Sequence, residues 1–237
     1  SLGKWHSCQP GSHLNIAIGP LIQTWRIGFS DAKLPLPEEI RPLLDIINPN
    51  AILLSEENQS VFLKEKGMKI DLGALAKGYI ADRIADFLKA EKVTSALINL
   101  GGNVLTFGPA LHNPDQKWRI GIQNPKETRN TNLMVLAIRD KSVVTSGIYE
   151  RTFEIDGKTY HHIFNSQTGY PVSSDLASLT IISSLSVDGE IWTTRLFGSS
   201  LEHIFQEVSS QAELEAIIVD KDNHCFQTGG IYKMRIS

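Results

Sequence analysis

The chain has 237 residues, and 23 Lys and Arg against 26 Asp and Glu leave a formal charge of −3. Hydrophobic residues make up 41% and charged residues 21%, enough for a large core without disulfide or metal staples and too apolar for intrinsic disorder. There is no basic excess of the kind that nucleic-acid binding requires.

Two cysteines, Cys8 and Cys225, form neither a disulfide framework nor a zinc pattern. No apolar run approaches the ~18 residues of a membrane span, and the opening SLGKWHSCQPG has no signal-peptide pattern. The apolar stretch Leu14–Leu21 is interrupted by Gly19-Pro20, and Trp25, Ile27 and Phe29 alternate like a strand edge. Residues 38–47 predict a short helix kinked or ended by Pro42. Ala51–Leu54 and Ser60–Lys64 predict a strand pair.

Between Asp71 and Lys92, Ile80, Ile84, Phe87 and Leu88 recur at helical spacing. Val93–Leu100 reads as a buried strand stopped by Gly101-Gly102. Trp118, Ile120 and Ile122 alternate as a strand, and Leu133–Ile138 is another. Tyr149–Ile155 and Lys158–Phe164 flank Asp156-Gly157, a two-residue hairpin signal that sets Ile155 opposite Lys158 and Arg151 opposite His162. Leu176–Ser183 predicts a strand, residues 188–208 a helix, and Leu214–Val219 with Ile231–Ile236 the closing strands. This mixture predicts a single α+β domain with mixed or antiparallel sheets and packed helices.

Four segments carry more polar and glycine residues than packing needs. In DLGALAKGYIAD, Gly73 and Gly78 flank Lys77 at a helix start, where free amides and a positive field suit phosphate. The same residues also fit a helix capped by Asp71, with Lys77 and Asp82 as solvated surface. Asn99-Leu-Gly-Gly-Asn103 follows a strand, and its glycine pair either admits a ligand close to the backbone or makes a tight turn. In the hairpin, His161 and His162 face opposite sides of a strand, so one of them at most enters a given site. In Asp188–Arg195, Glu190 and Thr194 lie at i and i+4 on one helix face. A carboxylate with a hydroxyl suits a hard cation such as Mg²⁺. The alternative is an acidic helix start with Thr194 bonded back to its own helix.

In this order the segments resemble the ApbE family of FAD:protein FMN transferases. LNIAIGPLIQTWRIGF begins the likeness, and DLGALAKGY…D is similar to that family's DLG-(G/A)-I-AKGY…D. LINLGGN, VVTSGIYER and HHIFNSQTGYPV are similar to its strand with a glycine pair, its TSG-xYER and its HHI-xDP-xTGYPV. The resemblance implies an ApbE-like domain over residues 1–237 that takes FAD as substrate. With Mg²⁺ it would move FMN onto a threonine hydroxyl of a flavin-acceptor protein and release AMP.

It further implies His162 as base and Lys77 as the cation on the phosphates. Leu14, Asn15, Lys77, Gly78, Asp82, Gly101, Ser146, Thr168 and Gly169 are the implied FAD contacts. The metal site becomes the Ala76 carbonyl, Glu190 and Thr194. Here Glu190 stands where the family has Asp, with Asp188 as the competing ligand, and Asn165-Ser166 replaces Asp-Pro. The family's usual N-terminal region is not in this sequence, so a shortened member is expected. Its alternatives are an FAD-binding member without transferase activity and an FAD pyrophosphatase. Relatives of this kind act at the extracytoplasmic face of the bacterial membrane, held by an anchor that would precede Ser1.

Overall fold

The structure is a computed structural model describing residues 1–128 and 131–236. Its helices are α1 (Leu2–Ser7), α2 (Gly19–Trp25), α3 (Pro37–Leu44), α4 (Ala76–Ala90), α5 (Ser186–Leu196) and α6 (Leu201–Ser210). Its strands are β1 (Ile52–Ser55), β2 (Ser60–Leu63), β3 (Ala96–Leu100), β4 (Asn103–Phe107), β5 (Trp118–Gln123) and β6 (Asn132–Ile138), then β7 (Ser142–Gly147), β8 (Thr152–Ile155), β9 (Lys158–His161), β10 (Leu176–Ser183), β11 (Glu215–Asp220) and β12 (Cys225–Gln227). The expected α+β class with antiparallel sheets is what the chain adopts. No described helix is long and apolar enough to cross a membrane.

The chain divides into two compact units. The first comprises Ser1–Ala74, Ile148–Ser174 and Thr194–Gly198. Its core gathers Leu21, Trp25, Ile27, Ile40, Ile47 and Phe164. Trp25 is fully buried and its Nε1 donates to the Gly169 carbonyl at 2.9 Å. The alternation of Trp25, Ile27 and Phe29 does not make a strand. Pro20 sits at the start of α2, where its missing N–H is harmless, and Arg26 closes that helix in the left-handed region at φ 53°. Pro37 starts α3 in the same way, and the helix carries Pro42 inside it. β1 and β2 pair as expected. In the hairpin Asp156 and Gly157 take φ 50° and 70°, the geometry a tight two-residue loop needs. Ile155 faces Lys158, while the ladder stops at Thr152–His161, short of Arg151 and His162.

The second unit comprises Leu75–Gly147, Asp175–Thr193 and Ser199–Ser237. Its six-stranded antiparallel sheet has the order β12-β11-β10-β7-β4-β3. β10 is central and all eight of its residues are buried, which explains its unbroken apolar reading. Successive residues of a strand take opposite faces. Val143 joins Ile182 and Ile217 under the β5–β6 ribbon, whose Ile120, Ile122, Met134, Leu136 and Ile138 fill that side. Val144 faces the other way, against α5. On α4, Ala81 and Ala85 pack on Ile98, Leu105 and Phe107 of β3 and β4.

Three expectations change in this unit. The buried stripe of α4 is Gly78, Ala81, Asp82 and Ala85, whereas Ile80 and Phe87 are exposed. Small residues let this helix lie close to its neighbours, Ile84 and Leu88 pack partly against the same cluster, and Tyr79, Ile80 and Phe87 are left exposed. The single helix over 188–208 is two helices, because Ser200 caps α6 by accepting the His203 amide at 3.3 Å. The closing strand is β12, and residues 229–233 form a 3-10 helix instead of a strand.

Candidate functional site

The start of α5 is held by α4 across a gap of 104 residues in sequence. Asp82 Oδ1 accepts the Ser186 amide at 2.8 Å and Oδ2 accepts the Val187 amide at 2.9 Å. One carboxylate thus satisfies two of the amides that a helix start leaves open. Burial raises the Asp82 carboxyl above its ordinary range, and the two amide bonds oppose that rise. A Cβ on residue 78 would lie 2.5 Å from the Ser186 carbonyl oxygen, so Gly78 lets the helices meet. On the sheet side, a Cβ at residue 189 would lie 2.6 Å from Val144 Cγ2. Glycines on two sides therefore seat α5 between α4 and β7.

That seating fixes Glu190, which is 5% exposed. Its Oε1 accepts from Asn103 Nδ2 at 2.8 Å and pairs with Lys77 Nζ at 3.1 Å. Asn103 is buried, and its Oδ1 accepts from the Ser186 hydroxyl at 2.5 Å. The Ser142 hydroxyl lies 3.0 Å from Ser186 Oγ. A buried carboxylate needs such partners, since desolvation disfavours the ion. Asn103, Ser142 and Ser186 were not singled out from the sequence. Their partners lie 38 to 104 residues away, and the local trace is Asn103 beside the glycine pair.

Asp188 is half-buried, and its carboxyl is raised first by burial and then by the charges of Asp82 and Glu213. Glu190 is the more deeply buried of the two carboxylates and is paired with a cation, Lys77. Thr194 follows it by one turn of α5. It is Thr193 whose hydroxyl donates back to the Glu190 carbonyl at 3.1 Å; among the described residues the Thr194 hydroxyl makes no such bond. Ala76 is the first residue of α4, and Leu75 before it provides no side-chain cap. The Ala76 carbonyl keeps a second lone pair after its helix bond. A carboxylate and a carbonyl are oxygen donors of the kind Mg²⁺ takes, and amides without a side-chain cap are donors of the kind phosphate takes. Asp71 is not the cap of α4; its Oδ1 accepts the Gly73 amide at 2.8 Å.

The other expected contacts divide between the units. Gly101 is exposed in an open turn at φ 63°, and Ser146 lies half-buried in β7. In the first unit, Leu14 is 1% exposed within the core. Asn15 donates to the Ile47 carbonyl at 2.8 Å and the Ser166 hydroxyl at 3.1 Å, and accepts the Ala17 amide at 2.8 Å. Gly169, at φ 74°, would place a Cβ 2.4 Å from Ile40 Cγ2. Thr168 is exposed and its hydroxyl accepts the Tyr170 amide at 3.3 Å. Of the residues expected as flavin contacts, Leu14, Gly78 and Gly169 are closely packed, and Asn15 and Asp82 hydrogen-bond the backbone.

The two histidines separate cleanly. His161 Nε2 lies 3.0 Å from the Val172 carbonyl and its Nδ1 accepts the Ile163 amide at 3.3 Å. Both nitrogens are committed to backbone, which sets the Nε2–H tautomer. His162 is half-buried with Nδ1 3.4 Å from the Arg151 carbonyl.

Fold and site together define an α+β protein in which a buried carboxylate, a lysine and an uncapped helix start come together. A profile of the ApbE family matches residues 1–218, and the chain belongs to that family. It is 46% identical over 211 residues to an FAD:protein FMN transferase of Klebsiella pneumoniae, covering 89% of this chain and 64% of the relative. A relative of the same name in Treponema pallidum is 34% identical over 232 residues, covering 93% and 64%. The chain thus spans about 64% of the length of these relatives. In fold it is similar to the ApbE protein of Thermotoga maritima, with a TM-score of 0.89 at 24% identity over 100% of this chain and 76% of that one.

Proposed function

We propose that the chain transfers FMN from FAD to a threonine hydroxyl of a flavin-acceptor protein, with Mg²⁺ and release of AMP. The observation that carries this is Glu190: a buried carboxylate, oriented by Asn103, beside Lys77 at an uncapped helix start. The names of its relatives supply the flavin chemistry. Glu190, Thr194 and the Ala76 carbonyl would hold Mg²⁺, which would spread the charge that develops on the phosphoryl oxygens.

The chain's own residues do the rest. Lys77 and the first amides of α4 bind the pyrophosphate and orient the FMN phosphorus. Gly101, Ser146 and Thr168 are taken as FAD contacts on the likeness to the family alone. His162 takes the proton from the threonine hydroxyl as its oxygen bonds to phosphorus. The bond from that phosphorus to the bridging oxygen breaks, and AMP leaves with the oxygen. His162 is preferred to His161, whose two nitrogens serve the backbone. We also place the protein at the extracytoplasmic face of a bacterial membrane, on the likeness to its family.

The test is AMP release from FAD and Mg²⁺, with and without an acceptor domain. Transfer requires AMP to appear with acceptor, mole for mole with covalent flavin. AMP without acceptor makes the chain an FAD pyrophosphatase, and FAD binding without AMP makes it a binding protein.

A further inference from the structure

One oxygen of Glu190 takes two donors of unlike kind. Asn103 is 2% exposed and locked through its Oδ1 to the Ser186 hydroxyl, so its N–H is a fixed donor. The Lys77 side chain is 48% exposed, a compact ammonium on a flexible stem that water readily receives. The ammonium therefore loses little on leaving the pair for water. The Glu190 side chain, at 7% exposure, is costly to leave without a positive partner. An ammonium and a divalent cation on one carboxylate oxygen would repel each other strongly.

We propose that Lys77 is a place-holding cation. Its ammonium neutralises Glu190 until a divalent cation takes the carboxylate, and the same event frees Lys77 for a substrate phosphate. The idea rests on the reading of Glu190 as the metal's carboxylate. It accounts for the position of Lys77 as the second residue of α4. The first amides of that helix lack a side-chain cap, so a phosphate drawn to them meets the ammonium where it is released. Loading of metal and binding of phosphate are then coupled through one side chain, without movement of either helix.

The experiment titrates Mn²⁺ into the flavin-free chain by calorimetry, comparing wild type with Lys77→Met, Lys77→Arg and Glu190→Gln. Lys77→Met should bind Mn²⁺ about threefold to fivefold more tightly, although it removes a partner of the site. Lys77→Arg, which keeps a cation on the carboxylate, should gain nothing. The tightening should persist in 0.5 M KCl, where charges further than about 4 Å apart are screened. With inorganic pyrophosphate and saturating Mn²⁺, Lys77→Met should bind the anion more weakly than wild type. Unchanged or weaker Mn²⁺ binding by Lys77→Met, or a gain that vanishes in salt, overturns the place-holder when Glu190→Gln still loses affinity. If Glu190→Gln binds Mn²⁺ as well as wild type, the metal-site reading itself fails.

Discussion

Gly78 and Ser186 approach so closely that no side-chain carbon fits between them: a Cβ on residue 78 would lie 2.5 Å from the Ser186 carbonyl oxygen and 2.7 Å from its carbon. The obstruction is backbone, which cannot rotate away. Gly78→Ala should therefore cost about 2 kcal/mol of stability, although alanine is the better helix former. Gly157→Ala, at φ 70° with open space around it, should lose only about 1 kcal/mol. Urea unfolding of both variants measures the difference.

Asp82 engages both oxygens at the start of α5, so Asp82→Ala should remove about 2 kcal/mol. Asp82→Asn, which keeps one accepting oxygen, should lose less. Because α5 carries Glu190, the alanine variant should also weaken Mn²⁺ binding. Denaturant midpoints and a calorimetric titration check the two effects separately.

His6 is buried beside Arg195, and burial first, then the guanidinium, lowers its pKa from 6.5 to about 4. The unfolded chain therefore takes up a proton first as pH falls. The contribution is complete above pH 6.5 and is lost as pH drops toward 4, by about 3 kcal/mol at the low end. Asp82 and Asp188 are shifted upward by burial, and raised carboxyls act with the opposite sign. The readable quantity is thus the difference between wild type and His6→Asn. The variant should show a flatter stability profile between pH 6.5 and 4.

The histidine pair gives a contrast within one strand. His161→Ala should destabilise the chain by about 1–3 kcal/mol, because the Val172 carbonyl and the Ile163 amide lose their partner. His162→Ala should leave the unfolding midpoint nearly unchanged and FAD bound, yet stop transfer. Unfolding curves and flavin labelling, run on both variants, separate the two roles.

Local signals carried much of the fold. Asp156-Gly157 dictated its hairpin, Leu176–Ser183 its central strand, and the i, i+4 spacing of Glu190 and Thr194 placed both on α5. Features that depend on distant partners were only partly visible. Of the four apolar residues at helical spacing on α4, Ile84 and Leu88 pack on the core while Ile80 and Phe87 are exposed, because the fully buried stripe is set by how closely Gly78 and Ala81 can approach other elements. The bonds of Asp82 to the start of α5 have no local signature, because that helix begins 104 residues later. The use of Asn103 becomes visible only when β4 is set beside Glu190. The cation and carboxylate of the site were nameable one at a time; their pairing at 3.1 Å is a product of the fold.

The central claim is transfer of FMN through the Glu190 site, and the intact mass of a threonine-bearing acceptor after incubation with FAD and Mg²⁺ tests it most directly. The acceptor should gain the mass of one FMN as a phosphoester on threonine, and Glu190→Gln should abolish that gain. An acceptor of unchanged mass alongside a wild-type chain saturated with FAD and Mg²⁺ would contradict it.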